Sequence, residues 1–493
     1  MLTPAVPTNQ TRGPADAPPP QALLLVRVLT AAAFIVILNE TIMANAVPVM
    51  MRVFDVTPSS AQWLSTAFLL TMAVTIPVTG WILNRLGTRS TLIVAMGLFC
   101  AGTLTAVLAP TFAVLLLARV VQAMGTAIMV PLLMTTLMTV IPEQFRGRVM
   151  GSVTLAISVA PATGPLLSGV ILEFLSWRWL FGLVLPVAVV VSVVGVRLLP
   201  RDVAAGVGRI DVLGVALSAI GFGGLVWGLA GIGEGASDRS ASPIVPPWVA
   251  VVVGLAGIAL LVVRQLRLRR AGREPLLDVT ALRHRGFAAG VTVMTVAFGA
   301  FLGVMIVLPL VLQQVRGTSV LVAGLVLMPS GLLMGLLGPT VGRWFDARGA
   351  RPLIVPGAAI VAAGIGGLAW TVTWAPIWAI GLVVGVVGVG LALVFTPIFT
   401  ASLSDLPPGL YSHGSAILAT LQQVGGAAGT AAMISVLSWG ATLGVAAGGA
   451  PDLGRGGTYA LAAAALLGVV TLLLTPLVPA GRPQQHGPAT AVH

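Results

Sequence analysis

Apolar segments about 20 residues long recur along the whole chain, and this pattern constrains the fold more than any other feature. Each is long enough for a helix to cross the hydrocarbon core of a bilayer, which takes about 20 residues. A transmembrane β-barrel would instead show short segments of alternating polarity. The sequence therefore predicts an all-α membrane protein with 14 transmembrane helices, at residues 23–48, 59–83, 90–109, 112–138, 149–172, 179–199, 210–232, 247–265, 286–312, 320–342, 352–373, 375–400, 414–439 and 457–478.

The composition agrees with this class and excludes several chemistries. Only 8% of the residues are charged, against about 25% in soluble domains. All 26 basic residues are arginine, so the lysine of a P-loop or of a Schiff-base enzyme is missing. Cys100 is the single cysteine, which rules out an intrachain disulfide and a cysteine-rich metal site. We expect no enzyme activity, no cofactor and no metal, and any transport would draw on an ion gradient or a partner.

The arginines indicate the orientation in the membrane. If the N-terminus is inside, the inner loops hold 20 arginines, the outer loops hold 5, and Arg119 lies within a span. Cytoplasmic loops of membrane proteins are enriched in basic residues. The bias predicts that both termini are cytoplasmic, and it explains the net charge of +12 without a nucleic-acid partner.

An internal repeat is visible in two loops. The sequence GWILNRLGTR (Gly80–Arg89) aligns with GRWFDARGAR (Gly342–Arg351) at an offset of 262 residues, so that Asn84 corresponds to Asp346. Parallel six-helix repeats occur in transporters, and the excess length fits one inserted helix pair. The predicted organisation is 6 + 2 + 6, with a disordered tail (1–22), a six-helix bundle (23–200), two inserted helices with a basic linker (201–285), a second six-helix bundle (286–478) and a tail (479–493).

Five segments together carry a family resemblance. They are the loop Gly80–Arg89 and the segments LNETIMANAVP (Leu38–Pro48), LLLARVVQAMGTA (Leu115–Ala127), APATGPLLSG (Ala160–Gly169) and GSAILATLQQVGGAAG (Gly414–Gly429). The chain resembles the fourteen-helix drug:proton antiporter-2 family of the major facilitator superfamily, the EmrB/QacA-like exporters. That family usually has Asp at the positions of Asn39 and Asn84, and Asn is common at Ala419.

The resemblance and the physics of buried charge select Glu40 and Arg119 as proton-coupling residues. Ionised side chains within a bilayer are costly and usually face a cavity or a partner. Glu40 is the one acid placed well inside a predicted helix, and Arg119 is the one arginine inside a span. Both are expected roughly 11–12 Å below the outer surface at 1.5 Å per residue, so a contact between them is plausible. The alternative is a structural pair that does not titrate.

Other polar and glycine positions take roles that the resemblance implies. The candidate substrate cavity contains Asn39, Asn45, Gln122, Gln422 and Gln423. The candidate gating loops contain Gly80, Asn84, Arg85, Gly87, Arg89, Asp346, Arg348 and Arg351. The candidate antiporter motif contains Pro161, Gly164, Pro165 and Gly169. For these sets, ordinary helix packing and membrane-topology signalling are the alternatives.

The sequence thus predicts a proton-coupled secondary active exporter of amphipathic small molecules or drugs, cationic ones included, which works by alternating access. Its partners would be the substrate, protons and the lipid bilayer. We expect a monomer in the bacterial cytoplasmic membrane. A dedicated exporter of one endogenous metabolite or antibiotic is the first alternative, and a membrane sensor or scaffold without transport is the second.

Overall fold

The computed structural model describes residues 19–43, 46–56, 58–199, 211–237, 246–443 and 452–478, and the regular structure in them is helical. The predicted tails lie outside these ranges, apart from the start of the first helix. The α-helices are α1 (Pro20–Ile42), α2 (Val47–Phe54), α3 (Pro58–Leu108), α4 (Phe112–Val140), α5 (Arg146–Phe174), α6 (Trp179–Gly182), α7 (Val184–Leu198), α8 (Val212–Ser218), α9 (Gly224–Ser237), α10 (Pro247–Arg270), α11 (Arg285–Gln314), α12 (Val320–Arg348), α13 (Arg351–Thr371), α14 (Ile377–Ser404), α15 (Tyr411–Thr442) and α16 (Leu453–Leu474).

Twelve helical stretches in the described ranges are long and apolar enough to cross a membrane. One of them, Trp63–Leu108, has 46 residues. At 1.5 Å per residue it would reach roughly 70 Å if straight, more than twice the thickness of a bilayer core. Within α3, however, Gly87 leaves the helical conformation (φ 74°, ψ 176°), so the long stretch breaks at the predicted loop.

The same backbone conformation recurs at the repeat-related glycine. Gly349, which follows α12, has φ 77° and ψ −172°. This region of backbone space is accessible essentially only to glycine. Two glycines 262 residues apart therefore make the same turn, and the loop repeat read from the sequence is also a structural repeat.

The first predicted segment, 23–48, is divided differently in the structure. Helix α1 ends at Ile42 and a separate helix, α2, starts at Val47. Pro48 falls in the first turn of α2, where a proline is favoured because its missing N–H would lack a helical partner anyway. Glu40 consequently lies two residues from the end of α1, not eight residues inside a longer helix.

The helices pack as two bundles with a helix group beside them. In the first bundle α3 packs on α4, and α1 packs on α5 and α7; in the second, α11 packs on α15 and α16, and α13 on α14 and α16. The bundles meet where α5 packs on α12 and where α3 packs on α15. Because the Gly87 and Gly349 turns and the arginine-rich loops share one end of the molecule, we call it the arginine-rich end.

Helices α8 and α9 pack against the first-bundle helix α3, α9 also packs against the second-bundle helix α15, and α10 packs on α8 and α9. Phe222, in the π-helical turn Ala219–Gly223, and Leu261 form a small buried cluster with Ala73 of α3.

Asp211 precedes α8 and accepts hydrogen bonds from Arg264 at 2.6–3.0 Å. Partial burial would raise the pKa of Asp211, but the hydrogen bonds from Arg264, Gly214 and Gln265 outweigh it and hold the pKa below its usual range.

The two bundles come into backbone contact between α5 and α12. A Cβ atom built on Gly338 would lie 2.4 Å from the carbonyl oxygen of Gly151, and one built on Gly151 would lie 2.0 Å from the carbonyl oxygen of Gly338. Small residues allow such approach between membrane helices. Glycine at both positions is therefore required for this interface.

We predict that Gly338→Ala lowers thermal stability, because a new methyl group would have to push α5 away, at a cost of about 1–3 kcal/mol. The matched control on the same helix is Gly324→Ala, where nothing lies within 4 Å of a new Cβ. Thermal unfolding of the two purified variants in detergent makes the comparison. Equal melting temperatures would contradict the close contact.

Candidate functional site

Arg119 lies at the centre of a buried polar network near the end of α1 and the starts of α3 and α4. The side chain is only 1% exposed. Its Nη1 atom donates to Asn39 Oδ1 at 3.2 Å and to Gln122 Oε1 at 3.1 Å, and its Nε donates to the Leu64 carbonyl at 3.4 Å. The guanidinium also lies 4.0 Å from the ring centroid of Phe68. Hydrogen bonds and the ring face together compensate for removing this cation from water.

The network continues from α4 to α3 through Gln122. The Gln122 Nε2 atom donates to Thr103 Oγ1 at 2.9 Å, while its Oε1 accepts from Arg119. Both oxygen and nitrogen of this buried amide are therefore used, which fixes its orientation. The Asn39 amide is only half used, because its buried Nδ2 has no hydrogen-bond partner among the described residues.

All hydrogen-bond partners of Arg119 are neutral, and the predicted contact with Glu40 is replaced by one with Asn39. Within the described ranges the ion pairs closer than 4.0 Å join Arg264 to Asp211, Arg269 to Asp278 and Arg455 to Asp452. Successive residues of a helix are about 100° apart around its axis. With Asn39 directed at Arg119, the adjacent half-buried Glu40 forms no ion pair closer than 4.0 Å in this part of the structure, although the two charges still act on each other.

The predicted antiporter motif approaches α1 beside Glu40. A Cβ built on Gly164 of α5 would lie 2.2 Å from Thr41 Oγ1, so glycine lets α5 reach the residue that follows Glu40. Pro161 and Pro165 also lie in α5, but their side chains are outside the described structure. Gly169 is exposed, with nothing within 4 Å of a built Cβ, and takes no part in this contact.

The two gating loops hold the bundles together at the arginine-rich end. Asn84 of α3 interacts with Nε2 of His413 at 3.0 Å and accepts a hydrogen bond from the Ser412 hydroxyl at 2.5 Å. Asp346 of α12 accepts hydrogen bonds from the backbone N–H groups of Gly147 and Arg148, each at 2.8 Å. Each loop residue thus binds the first turn of a helix in the opposite bundle. We call these two contacts, Asn84 with α15 and Asp346 with α5, the two latches.

The two latches use different chemistry at repeat-related positions. Asp346 places a carboxylate at the N-terminus of α5, where the helix dipole and unpaired N–H groups favour negative charge. Asn84 at the matching position forms its contact with neutral side chains at the start of α15. The asparagine therefore keeps a cross-bundle contact in place of a salt bridge.

The other candidate gating-loop residues differ in their surroundings. Arg85 lies 6.0 Å from the ring centroid of Trp81, and Arg351 donates to the carbonyl oxygens of Val478 and Pro476. Arg348 is exposed. A Cβ on Gly80 would lie 2.8 Å from Nδ1 of His413, so this glycine makes room for the first latch.

Of the predicted cavity residues, the structure brings Asn39 and Gln122 together on Arg119. Gln422 and Gln423 are half-buried on α15, and no hydrogen bond in the described ranges joins them to the Arg119 network. Asn45 lies outside the described residues. Sequence reasoning missed Phe68, Thr103 and Thr41, since an aromatic or a threonine in an apolar helix carries no local sign of its partner.

We predict that Arg119→Lys lowers the melting temperature in detergent by several degrees. A lysine keeps the charge but lacks the planar fork that reaches Asn39, Gln122 and the Leu64 carbonyl together, and hydrogen bonds to charged groups contribute about 1.5–3 kcal/mol each. Arg343→Lys is the control, because Arg343 is exposed. Equal stability of both variants would show that the network does not hold the helices.

Comparison with known proteins identifies the family. Residues 29–430 match the model of the Major Facilitator Superfamily. The chain is 38% identical over 409 residues to "Lincomycin resistance protein LmrB" of Listeria monocytogenes, covering 83% of this chain and 85% of that protein. It is 30% identical over 390 residues to "Multidrug resistance protein B homolog" of Mycobacterium tuberculosis, covering 78% and 71%.

A solved structure shows the same fold. The proton:xylose symporter XylE superposes with a TM-score of 0.64 at 17% identity, over 93% of this chain and 96% of that one. The matched proteins are multi-pass membrane transporters of small molecules and not enzymes. The chain belongs to the Major Facilitator Superfamily.

Proposed function

We propose that this transporter is a proton-coupled exporter that exchanges protons for amphipathic drugs or drug-like molecules, cationic ones included. One observation carries the proposal: Glu40, two residues before the end of α1, forms no ion pair closer than 4.0 Å with a described residue, although its charge and that of the buried Arg119 act on each other. A carboxyl group that is not locked into a salt bridge is free to gain and lose a proton during a cycle. The relatives named for lincomycin and multidrug resistance support the drug-export part.

Fourteen spans in a 6 + 2 + 6 arrangement remain our proposal for the topology. The 46-residue stretch Trp63–Leu108 breaks at Gly87 and supplies two spans. The 29-residue helix α5 is long enough for one more, in addition to the other eleven stretches. The helix group α8–α10 is then the inserted pair between two six-helix halves. The arginine bias supports cytoplasmic termini and a bacterial cytoplasmic membrane, and we propose that the transporter is a monomer.

The latches suggest which conformation the structure represents. Hydrogen bonds between the bundles also join Thr135 to Ser415 and Thr154 to Thr396. Along α4, Arg119 and Thr135 are 16 residues apart, roughly 24 Å at 1.5 Å per residue. The cross-bundle bonds therefore lie far from the Arg119 network, on the side that we assign to the cytoplasm. We propose that this is an inward-closed state with Glu40 in the outer half.

In the proposed cycle, Glu40 takes up a proton from outside while the arginine-rich end is closed, and protonation disfavours bound substrate. The bundles then rock about the site, the latches open, and Glu40 releases its proton to the cytoplasm. The deprotonated site readmits substrate. The unpartnered Nδ2 atom of Asn39 offers a donor to an oxygen of the substrate, since a buried polar group favours any ligand that completes its hydrogen bonds.

A dedicated exporter of one antibiotic or metabolite is the second candidate. It is favoured by the relative named for resistance to a single antibiotic. Expression in a drug-sensitive bacterial host and measurement of resistance across a substrate panel separates the two. A chain with no proton-driven flux for any substrate would instead be a sensor or scaffold.

We predict that Glu40→Gln abolishes proton-driven efflux in inverted membrane vesicles, because the glutamine side chain carries no titratable proton. Substrate binding and exchange without a proton gradient should persist. Glu173→Gln is the matched control, since Glu173 is the exposed acid near the end of α5. If Glu40→Gln shows an unchanged dependence of efflux on the proton gradient, Glu40 is not the proton carrier.

We predict that Asp346→Ala weakens closure at the arginine-rich end, because it removes two charge-assisted hydrogen bonds of about 1.5–3 kcal/mol each. Thr154, buried under the latches and bonded to Thr396, reports on closure as Thr154→Cys in a Cys100→Ser background. A maleimide should label it faster in the Asp346→Ala variant.

Asp405→Ala is the control for this experiment. Asp405 also accepts a backbone hydrogen bond, from Phe287 at 3.1 Å, but within one bundle. Its removal should leave the labelling rate of Thr154→Cys unchanged. The same increase in both variants would mean that Asp346 stabilises its own bundle and does not act as a latch.

A further inference from the structure

A cavity of about 460 Å³ opens beside the helix group α8–α10, away from the Arg119 network. One wall is apolar and consists of Leu213 and Leu217 of α8 with Leu260 and Val263 of α10. The other end is lined by Arg267, in the last turn of α10, and by Arg273, just beyond that helix. The cavity therefore combines a leucine-lined wall with two cationic side chains.

The two arginines are available to a ligand. Arg264, which also borders the cavity, is bound to Asp211, and Arg269 is bound to Asp278 at 2.5 Å. Arg267 and Arg273, by contrast, are exposed, and their guanidinium groups have no hydrogen-bond or ion-pair partner among the described residues. Glu274, the acid that follows Arg273 in the chain, is exposed and does not line the cavity.

The depth of the cavity matches a membrane interface. Leu260 and Arg267 are seven residues apart on α10, roughly 10 Å along the axis. Leu213 and Leu260 are more than half exposed in helices that belong to candidate membrane spans, so their surroundings are acyl chains. The arginines follow at the level where α10 ends and lipid headgroups begin. The leucine-lined wall of the cavity thus lies at the level of the acyl chains, and the two arginines lie at the level of the phosphate groups.

The anchors of the helix group hold this geometry in place. Asp211 fixes the start of α8 to α10 through Arg264 and Gln265, and Gln265 accepts a hydrogen bond from the Leu276 N–H at 2.7 Å. Asp278, bound to Arg269, ties the following loop back to α10. The chain that carries Arg273 is therefore folded back beside α10, and the cavity is bounded by fixed elements.

We propose that this cavity is a binding site for an anionic phospholipid of the surrounding leaflet. Its phosphate group would lie between Arg267 and Arg273, and one acyl chain would lie along Leu213, Leu217 and Leu260. Basic pockets between membrane helices suit anionic headgroups, because arginine forms charge-assisted hydrogen bonds with phosphate. The site lies outside the proposed transport path and does not depend on the proposed export.

The test measures lipid binding to the full-length protein purified in detergent, by native mass spectrometry and by thermal shift. The probes are phosphatidylglycerol, phosphatidylcholine and sn-glycerol 3-phosphate. We expect phosphatidylglycerol to bind and to raise the melting temperature, while the zwitterionic lipid and the soluble phosphate bind weakly. Equal binding of phosphatidylcholine would overturn the anionic site, and tight binding of glycerol 3-phosphate alone would overturn the role of the apolar wall.

Matched variants separate a specific cavity from general attraction to a basic surface. Arg267→Gln with Arg273→Gln should weaken phosphatidylglycerol binding roughly 30-fold, the loss expected for two arginines at an anionic surface. Arg270→Gln with Arg283→Gln removes the same charge from exposed positions that do not line the cavity, and should change binding little. Equal losses in both double variants would overturn the proposal.

Two further variants keep the test decisive if the first double variant does not fold. Arg273→Gln alone changes a loop residue beyond α10 and should lower phosphatidylglycerol binding by a smaller factor. Leu217→Gln should lower binding of the lipid without changing that of glycerol 3-phosphate. Unchanged lipid binding in both single variants would contradict the assignment.

Discussion

A buried arginine held by neutral partners organises the first bundle. Burying the Arg119 cation without partners would be too costly. Asn39 of α1, the Leu64 carbonyl of α3 and Gln122 of α4 therefore accept hydrogen bonds from it, and the Phe68 ring packs against it. Because these groups satisfy the cation without a carboxylate, the arginine does not need an ion pair with the neighbouring acid. Positions 39 and 40 therefore differ: the Asn39 amide bonds to the arginine, and Glu40 forms no ion pair closer than 4.0 Å among the described residues.

The same molecule shows how a duplicated fold can diverge at matching positions. The Gly87 and Gly349 turns have the same backbone conformation, and each places a short polar side chain against the opposite bundle. One is a carboxylate on helix N–H groups and the other an amide on a serine and a histidine. The two latches therefore differ in the chemical groups that join the bundles.

Much of the fold was predictable from the sequence, since membrane helices are defined by length and hydropathy alone. The loop repeat was predictable because only glycine supports its turn, so conformation leaves a direct trace in the sequence. The candidate site was predictable only in part. Arg119 and Gln122 were both selected from the sequence and are hydrogen-bonded in the structure, but the partner on α1 was taken to be Glu40, and Phe68 and Thr103 gave no signal.

By itself the sequence determined the class of protein, the repeat and the scarcity of buried charge, because a low-dielectric membrane leaves few acceptable places for ionised groups. Only the tertiary structure decided that α1 ends at Ile42 and that Asn39, instead of Glu40, faces Arg119. Adjacent helical residues point about 100° apart, and which one meets a neighbouring helix depends on how the two helices are rotated and packed. That rotation depends on the packing of the whole bundle and cannot be predicted from any single segment of the sequence.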